Sequence, residues 1–281
     1  MPELPETETI ARDLHEAVVG AVIVSATVHR PDVLREVDAD SLRTAVSQAR
    51  IHRVWRRAKN VVLDLVMKRS SNENAHLVVQ PRFTGAVLLD DGTLPSDQLD
   101  YLAVTFVLAD GRSLHYRDVR RLGTVAWMSA NRFVEYSAKL GREPLDEAFT
   151  EADFSALVRA SRRSVKAVLM DQSRLAGVGN IYANEALWLA GIDPSREGAD
   201  LNDDEVSRLL QQLRVVLLAS IDARGTSFRD YRDARGQRGS FVSQLSAYGR
   251  GGERCLRCGK RLIETHAVDG RTTVFCAGCQ R

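Results

Sequence analysis

The chain spends all four of its cysteines within its last 27 residues, as Cys255-x2-Cys258-x17-Cys276-x2-Cys279. Two C-x2-C pairs across a short spacer offer four thiolates to one tetrahedral Zn2+. Such a set leaves no open position for a catalytic water, so one structural zinc ion is predicted. Binding worth about 10 to 16 kcal/mol would organise a tail too short to bury a core of its own. The alternative is a pair of disulfides. Adjacent C-x-x-C bridges are strained, and no charged-then-apolar signal pattern at the N-terminus points to an oxidising compartment.

The same tail is basic. From residue 229 onward, 11 Lys and Arg stand against 5 Asp and Glu, a local +6 in a chain whose formal charge is +2, so the preceding residues carry −4. Four thiolates on one Zn2+ would remove about two of those charges and leave the segment positive. Arg229, Arg232, Arg235, Arg238, Arg250, Arg254 and Arg257 recur with Tyr231, Phe241 and Tyr248 between them. That placement predicts phosphate as a partner rather than a merely solvated face. No run approaches the roughly 20 apolar residues that span a bilayer, so no membrane partner and a cytoplasmic location are expected.

Hydrophobic period divides the rest. Val22–Val28, Val54–Met67, Leu77–Val79, Ala86–Leu89, Leu102–Leu108, Leu114–Tyr116 and Thr124–Met128 read as strands, with tight turns at Asp91-Gly92 and Asp110-Gly111. Ile10, Leu14 and Val18 mark a preceding helix that ends at Gly20. After about residue 133 the period becomes helical. Thr150 and Asp153 suggest a capping box, and Asn202 opens a long helix whose face is Leu209, Leu210, Leu213, Val216, Leu217 and Ile221, closed by Gly225. The prediction is an α+β chain. An N-terminal antiparallel β-sandwich with flanking helices spans 1–133, a linker 134–149 and a helical domain 150–245, and a zinc hairpin spans 246–281, with a cleft between the two larger parts.

The opening Met1-Pro2-Glu3-Leu4-Pro5-Glu6 carries a second kind of chemistry. An initiator Met before a small residue is normally removed, which would leave Pro2 as a secondary amine. An α-amino group titrates near 8 and is roughly a tenth uncharged at pH 7, far more than a lysine near 10.4. Attack of a secondary amine on a sugar C1′ gives an iminium that is cationic from the start, an electron sink for elimination. Glu3 beside it could move protons. Pro and Glu at a helix start have an ordinary structural use as well, so these residues alone leave both roles open.

Three separated segments together resemble the bacterial formamidopyrimidine-DNA glycosylase family: the opening MPELPETE, the segment Leu175-Ala-Gly-Val-Gly-Asn-Ile-Tyr-Ala-Asn-Glu-Ala-Leu187, and the tail from Tyr248-Gly249-Arg250 through the four cysteines. The PELPE opening is closer to that enzyme than to its endonuclease VIII relatives, which typically begin PEGPE. The resemblance covers essentially the whole chain. It implies a helix-two-turn-helix in the helical part, Pro2 as the Schiff-base nucleophile, Glu3 as acid/base partner and Glu6 in support of the site. It further implies Lys59, in Arg56-Arg57-Ala58-Lys59 on a predicted strand, as a phosphate contact near the lesion. Asn180 and Arg271 would be two sides of a phosphate pincer, and Phe83, Arg120 and Leu122 would fill the void left by an extruded base. Phe83 stands where methionine is common, Leu122 where phenylalanine is common and Gln80 where many members carry histidine; the zinc spacer is one residue longer than the frequent spacing.

The implied activity is that of a bifunctional DNA glycosylase and AP lyase of base excision repair, acting as a monomer at the bacterial nucleoid on duplex DNA with oxidised purines or abasic sites. Successive β and δ eliminations would follow base removal. Ser227–Ser240 would form a mobile loop over the extruded base. The alternatives are an endonuclease VIII-like preference for oxidised pyrimidines, a non-catalytic binder of damaged DNA and, weakest, a zinc-ribbon transcription factor.

Overall fold

The computed structural model describes residues 2–67 and 70–281, so Met1 of the opening peptide lies outside the described residues. The chain splits into two compact units, Met1–Ala138 with Ala223–Ser240, and Lys139–Asp222 with Phe241–Arg281.

In the first unit α1 (Leu4–Val18) precedes β1 (Val22–Val28), β2 (Leu34–Arg35), α2 (Ala39–Val46), β3 (Ala49–Arg57), β4 (Asn60–Met67), β5 (Ser70–Gln80), β6 (Gly85–Asp90), β7 (Leu102–Leu108), β8 (Ser113–Asp118), β9 (Thr124–Ser129) and α3 (Ala130–Ala138). The strands hydrogen-bond in the order β2-β9-β5-β4-β3-β1-β7-β8-β6. All neighbours are antiparallel except the short β2–β9 pair. This order cannot lie flat. β5 and β6 are six places apart, as are β8 and β9, a span of about 29 Å in an open sheet. The connections 81–84 and 119–123 reach only about 17 to 22 Å when fully extended. The sheet must therefore fold over on itself, which yields the predicted sandwich and brings both connections to the corner where it closes.

α1 packs on β3 and β4, placing Ile10, Leu14 and Val18 in the main core, and Leu4 is fully buried as they are. Each contributes about 1.5 to 3 kcal/mol relative to an exposed side chain. The helix ends before Gly20, whose φ of 87° is the left-handed conformation that glycine adopts without strain.

Two expectations are corrected here. The run Val54–Met67 is two strands, joined at Ala58-Lys59 with Ala58 at φ 54°. β4 hides the break because it is apolar on both faces: Val61, Leu63 and Leu65 enter the main core, while Val62 enters a second cluster. Nor does the stretch 134–149 begin as a linker. Its start, to Ala138, belongs to α3, whose Phe133 caps that second cluster over Val62, Val78, Ala126 and Met128.

The second unit holds α4 (Glu151–Arg159), α5 (Val165–Met170), α6 (Asn180–Ala190), α7 (Asp203–Asp222) and the hairpin β10 (Ile263–Thr265) with β11 (Thr273–Phe275). The predicted caps form. Asp153 N–H donates to the Thr150 hydroxyl at 3.2 Å, and Glu205 N–H donates to Asn202 Oδ1 at 2.9 Å. The six apolar residues assigned to the face of α7 are all buried. α6 packs on α7, where the hydroxyls of Tyr182 and Ser220 lie 2.6 Å apart in the interior. No helix among the described residues is long and apolar enough to cross a membrane.

Candidate functional site

The amino terminus sits inside the first unit. Pro2 is buried, and Glu3, 1% exposed, is the cap residue of α1. Its N–H donates to Glu6 Oε2 at 2.8 Å, which occupies a helix-start donor that would otherwise lack a partner within the helix. The other oxygen of Glu6 accepts from Thr226 N–H at 2.7 Å, and Tyr231 donates its hydroxyl to the Glu6 carbonyl at 3.3 Å. Glu6 is therefore an enclosed staple between the start of α1 and the segment 223–240. Gly225 makes that approach practicable. With φ at 87°, it leaves space where a Cβ would lie 2.9 Å from the Tyr231 ring and 3.0 Å from Glu6 Cγ.

The segment 223–240 is pinned at further points. Arg224 bridges Asp13 and the fully buried Asp233. The Ala234 carbonyl accepts from Leu89 N–H at 2.8 Å, and Tyr231 and Ala234 join the main core. These anchors fasten to the strand-rich unit a stretch that local pattern had grouped with the helices. Only its tips stand out, among them Phe228 and Arg229.

Lys59 lies in the β3–β4 turn rather than on a strand, and is half-buried. Arg56 fixes this turn beside α1, donating to Glu8 Oε2 at 2.9 Å and to the Ala58 carbonyl at 3.1 Å. Burial pushes the Glu8 carboxyl up, but the Arg56 and Arg12 guanidiniums outweigh it and hold the carboxyl below its ordinary range.

Phe83, Arg120 and Leu122 all project from the two connections that close the sandwich. Phe83 and Leu122 are each 46% exposed, unlike the core positions that a strand assignment would require. Exposed apolar side chains at a tight corner are costly in water and suited to insertion between stacked rings.

In the second unit Asn180 opens α6 just after Gly179, with Gly177 at φ 85° in the preceding turn. Its amide donates to the Thr272 carbonyl at 3.0 Å, so the helix start and the hairpin loop carrying the exposed Arg271 are joined. Asn184 Oδ1 accepts from Val274 N–H at 2.7 Å, and buried Lys166 donates to the Thr272 carbonyl at 2.9 Å and the Thr273 hydroxyl at 2.7 Å. Helix N–H groups suit an anion, and the loop joined to this helix start carries a guanidinium.

The four cysteine sulfurs lie within 4.8 Å of one another. The Cys258–Cys276 and Cys255–Cys279 separations of 3.4 and 4.0 Å bracket the roughly 3.8 Å expected between sulfurs about 2.3 Å from a tetrahedral ion. Burial and the neighbouring sulfurs push the Cys279 thiol up to about 12. Burial also opposes ionisation of Cys255, but N–H groups of Arg257 and Cys258 draw that thiol down to about 6. Full ionisation of the set therefore calls for a cation.

Sequence pattern missed Glu185. It is buried on α6 and accepts from the N–H groups of Ser246, Ala247 and Tyr248 at 2.8, 2.9 and 2.7 Å, which fixes the chain entering the hairpin. Burial pushes its carboxyl up, against the pull of those three donors. A lone Glu in a helical segment gives no local sign of partners 61 to 63 residues away.

Comparison with known proteins agrees with this arrangement. Residues 1–125 match the family profile described as formamidopyrimidine-DNA glycosylase N-terminal domain, and residues 140–232 match its H2TH domain. Formamidopyrimidine-DNA glycosylases from Herpetosiphon aurantiacus and Carboxydothermus hydrogenoformans are 38% and 37% identical to the chain, each over 100% of both sequences. Among solved structures, a complex of Lactococcus lactis Fpg with DNA containing an abasic site superposes with a TM-score of 0.88 at 32% identity, covering 99% of both chains. A complex of the wild-type Lactococcus lactis enzyme with N7-benzyl-Fapy-dG DNA also superposes at 0.88 and 32%, covering 100% of both.

Proposed function

This chain belongs to the formamidopyrimidine-DNA glycosylase family, and on that footing we propose that Pro2 is the nucleophile with which it excises oxidised purines from duplex DNA. Membership makes it a DNA glycosylase of base excision repair. The observation that carries the chemical proposal is the buried start of α1, with Pro2 beside the cap residue Glu3 and Glu6 locking the turn.

In this scheme the Pro2 amine attacks C1′ of an extruded nucleotide. The C1′–N bond breaks and its electron pair leaves with the base, which takes up a proton. The amine gives up its proton, the C1′–O4′ bond breaks as O4′ takes one up, and the nitrogen lone pair forms the C1′=N iminium. That cation accepts the C2′–H and then the C4′–H electron pair as those protons are removed, and the 3′ and then the 5′ phosphate depart with their C–O pairs, leaving a one-nucleotide gap. Glu3 shuttles protons at the sugar. The scheme requires a free amine on Pro2. Its premise is checked directly by intact-mass measurement, which is expected to give the chain without its initiator methionine. A retained Met1 would block the amine.

Lys59, Asn180 and Arg271 are assigned to phosphates, and Phe83, Arg120 and Leu122 to the void. Each phosphate contact contributes about −0.9 to the slope of log K against log salt. Arg271→Ala is expected to weaken binding to every duplex sequence and to flatten that slope by about one unit; an unchanged slope would remove Arg271 from the interface. The four-cysteine cluster is assigned one structural zinc, and its role is to shape the hairpin. A cytoplasmic site of action fits this reading.

A second lesion class has specific support. A Lactococcus lactis Fpg complex with DNA containing an oxidised pyrimidine superposes on the chain at a TM-score of 0.87 with 31% identity. Cleavage of single-lesion duplexes is expected to favour oxidised purines; equal or faster cleavage of oxidised pyrimidines would reverse the assignment.

A further inference from the structure

The connection 81–84 carries Phe83 and the connection 119–123 carries Arg120 and Leu122, yet they are separate stretches of chain. Between them lies a buried polar junction. The Thr84 hydroxyl donates to Asp118 Oδ1 at 2.5 Å and accepts from the backbone N–H of Arg120 at 3.0 Å. Asp118, 1% exposed, also accepts at Oδ2 from Gly123 N–H at 2.8 Å and from the Tyr116 hydroxyl at 3.1 Å, and Arg120 N–H lies 3.3 Å from its Oδ1. A carboxylate buried this fully is tolerated because donors from both connections and from β8 surround it.

The backbones meet just as closely. A Cβ on Gly123 would lie 2.0 Å from the Tyr116 hydroxyl and 2.4 and 2.8 Å from the carbonyls of Gln80 and Pro81. Each connection also holds a non-glycine residue in the left-handed region next to its projecting side chain: Arg82 at φ 52° and Arg121 at φ 54°. Such conformations persist where surrounding contacts over-determine them. The projecting side chains themselves are exposed, so the packing that positions them lies beneath, at Thr84 and Asp118.

We propose that the Thr84 hydroxyl and the Asp118 carboxylate fuse the two connections into one rigid wedge, so that Phe83, Arg120 and Leu122 enter a duplex as a preassembled unit. Thr84 and Asp118 are positioning residues: they do not touch the reacting atoms, and they set the rate of base extrusion rather than the chemistry after it. The inference rests on the void-filling role given above to the three projecting residues. Preassembly matters because the wedge must offset an unstacking cost of a few kcal/mol, and a tip displaced by about 1 Å can lose about a hundredfold in rate.

The experiment compares parent, Thr84→Val, Thr84→Ser and Asp118→Asn proteins in two assays. One is stopped-flow 2-aminopurine fluorescence in a duplex bearing a tetrahydrofuran abasic analogue, which reads wedge entry without catalysis. The other is single-turnover cleavage of an 8-oxoguanine duplex beside cleavage of a single-stranded abasic oligonucleotide, where no stack is opened. Thr84→Val, which keeps the size but loses both bonds, is expected to slow wedge entry and duplex cleavage at least tenfold and to leave single-strand cleavage within about twofold of the parent. Thr84→Ser should restore both rates, and Asp118→Asn should behave as Thr84→Val. Parental wedge entry in Thr84→Val would overturn the proposal, as would equal losses on duplex and single strand, which mark general misfolding. A parent that inserts its wedge but cuts nothing would refute the Pro2 chemistry alone, and the fluorescence comparison would still decide the coupling.

Discussion

Borohydride added to the protein with an abasic duplex is expected to leave one covalent protein-DNA adduct, and digestion is expected to place it on the peptide beginning at Pro2. The reductant traps an iminium, so the adduct reports the intermediate and not mere binding. Glu3→Gln is expected to lower the single-turnover rate of base excision by about 10²- to 10⁴-fold, the usual contribution of a positioned proton carrier. Pro2→Gly retains a primary amine, whose imine must be protonated before it serves as an electron sink, so cleavage should fall while some trapping survives. An adduct on the peptide containing Lys59, or undiminished cleavage by Pro2→Gly, would move the nucleophile elsewhere. The expected size of the Glu3 effect follows from its position: it caps α1 with almost no solvent contact, and Glu6 holds its backbone through the 2.8 Å bond from the Glu3 N–H.

Withdrawal of the proposed zinc is expected to be the other large effect. Zinc content by release and spectrophotometry is expected to be one ion per chain, and Cys258→Ala to abolish it. Zinc in such sites binds with about 10 to 16 kcal/mol, more than the total stability of many small domains, so the hairpin should unfold when the ion is withdrawn. The loss should not stop there. Cys255 and Cys276 pack with Trp188, Ala247, Leu262 and Val274, and Arg271 and Thr272 sit in the loop between β10 and β11. Chelation is therefore expected to cost duplex affinity by at least the full Arg271 contribution, and to strip the partners of Lys166 and Asn180 as well. Parental affinity in a zinc-free protein would show that the hairpin is dispensable for binding.

The pinned segment 223–240 shows how much of this site depends on distance along the chain. Tyr231 and Ala234 look like ordinary loop residues in an arginine-rich stretch, and yet both are buried in the first unit's core. The opening peptide advertises Pro2 and Glu3, but nothing near Glu6 announces that its partner is the Thr226 N–H, 220 residues away. The β3–β4 turn was hidden for a different reason. β4, which follows it, is apolar on both faces, so the alternation that usually marks a separate strand is missing there.

Residue order alone was enough for the four-thiol cluster, the capped helices and most strands, because each depends on partners a few positions apart or on the chemistry of one residue type. The fold had to supply the rest: the junction of Thr84 with Asp118 across 34 residues, the carboxylate of Glu185 beneath the hairpin, and the ammonium of Lys166 bonded 107 residues ahead to Thr273. Buried polar groups are stable only with partners, and which partner arrives is decided by how the sheet closes and how the helices pack, neither of which leaves a local trace.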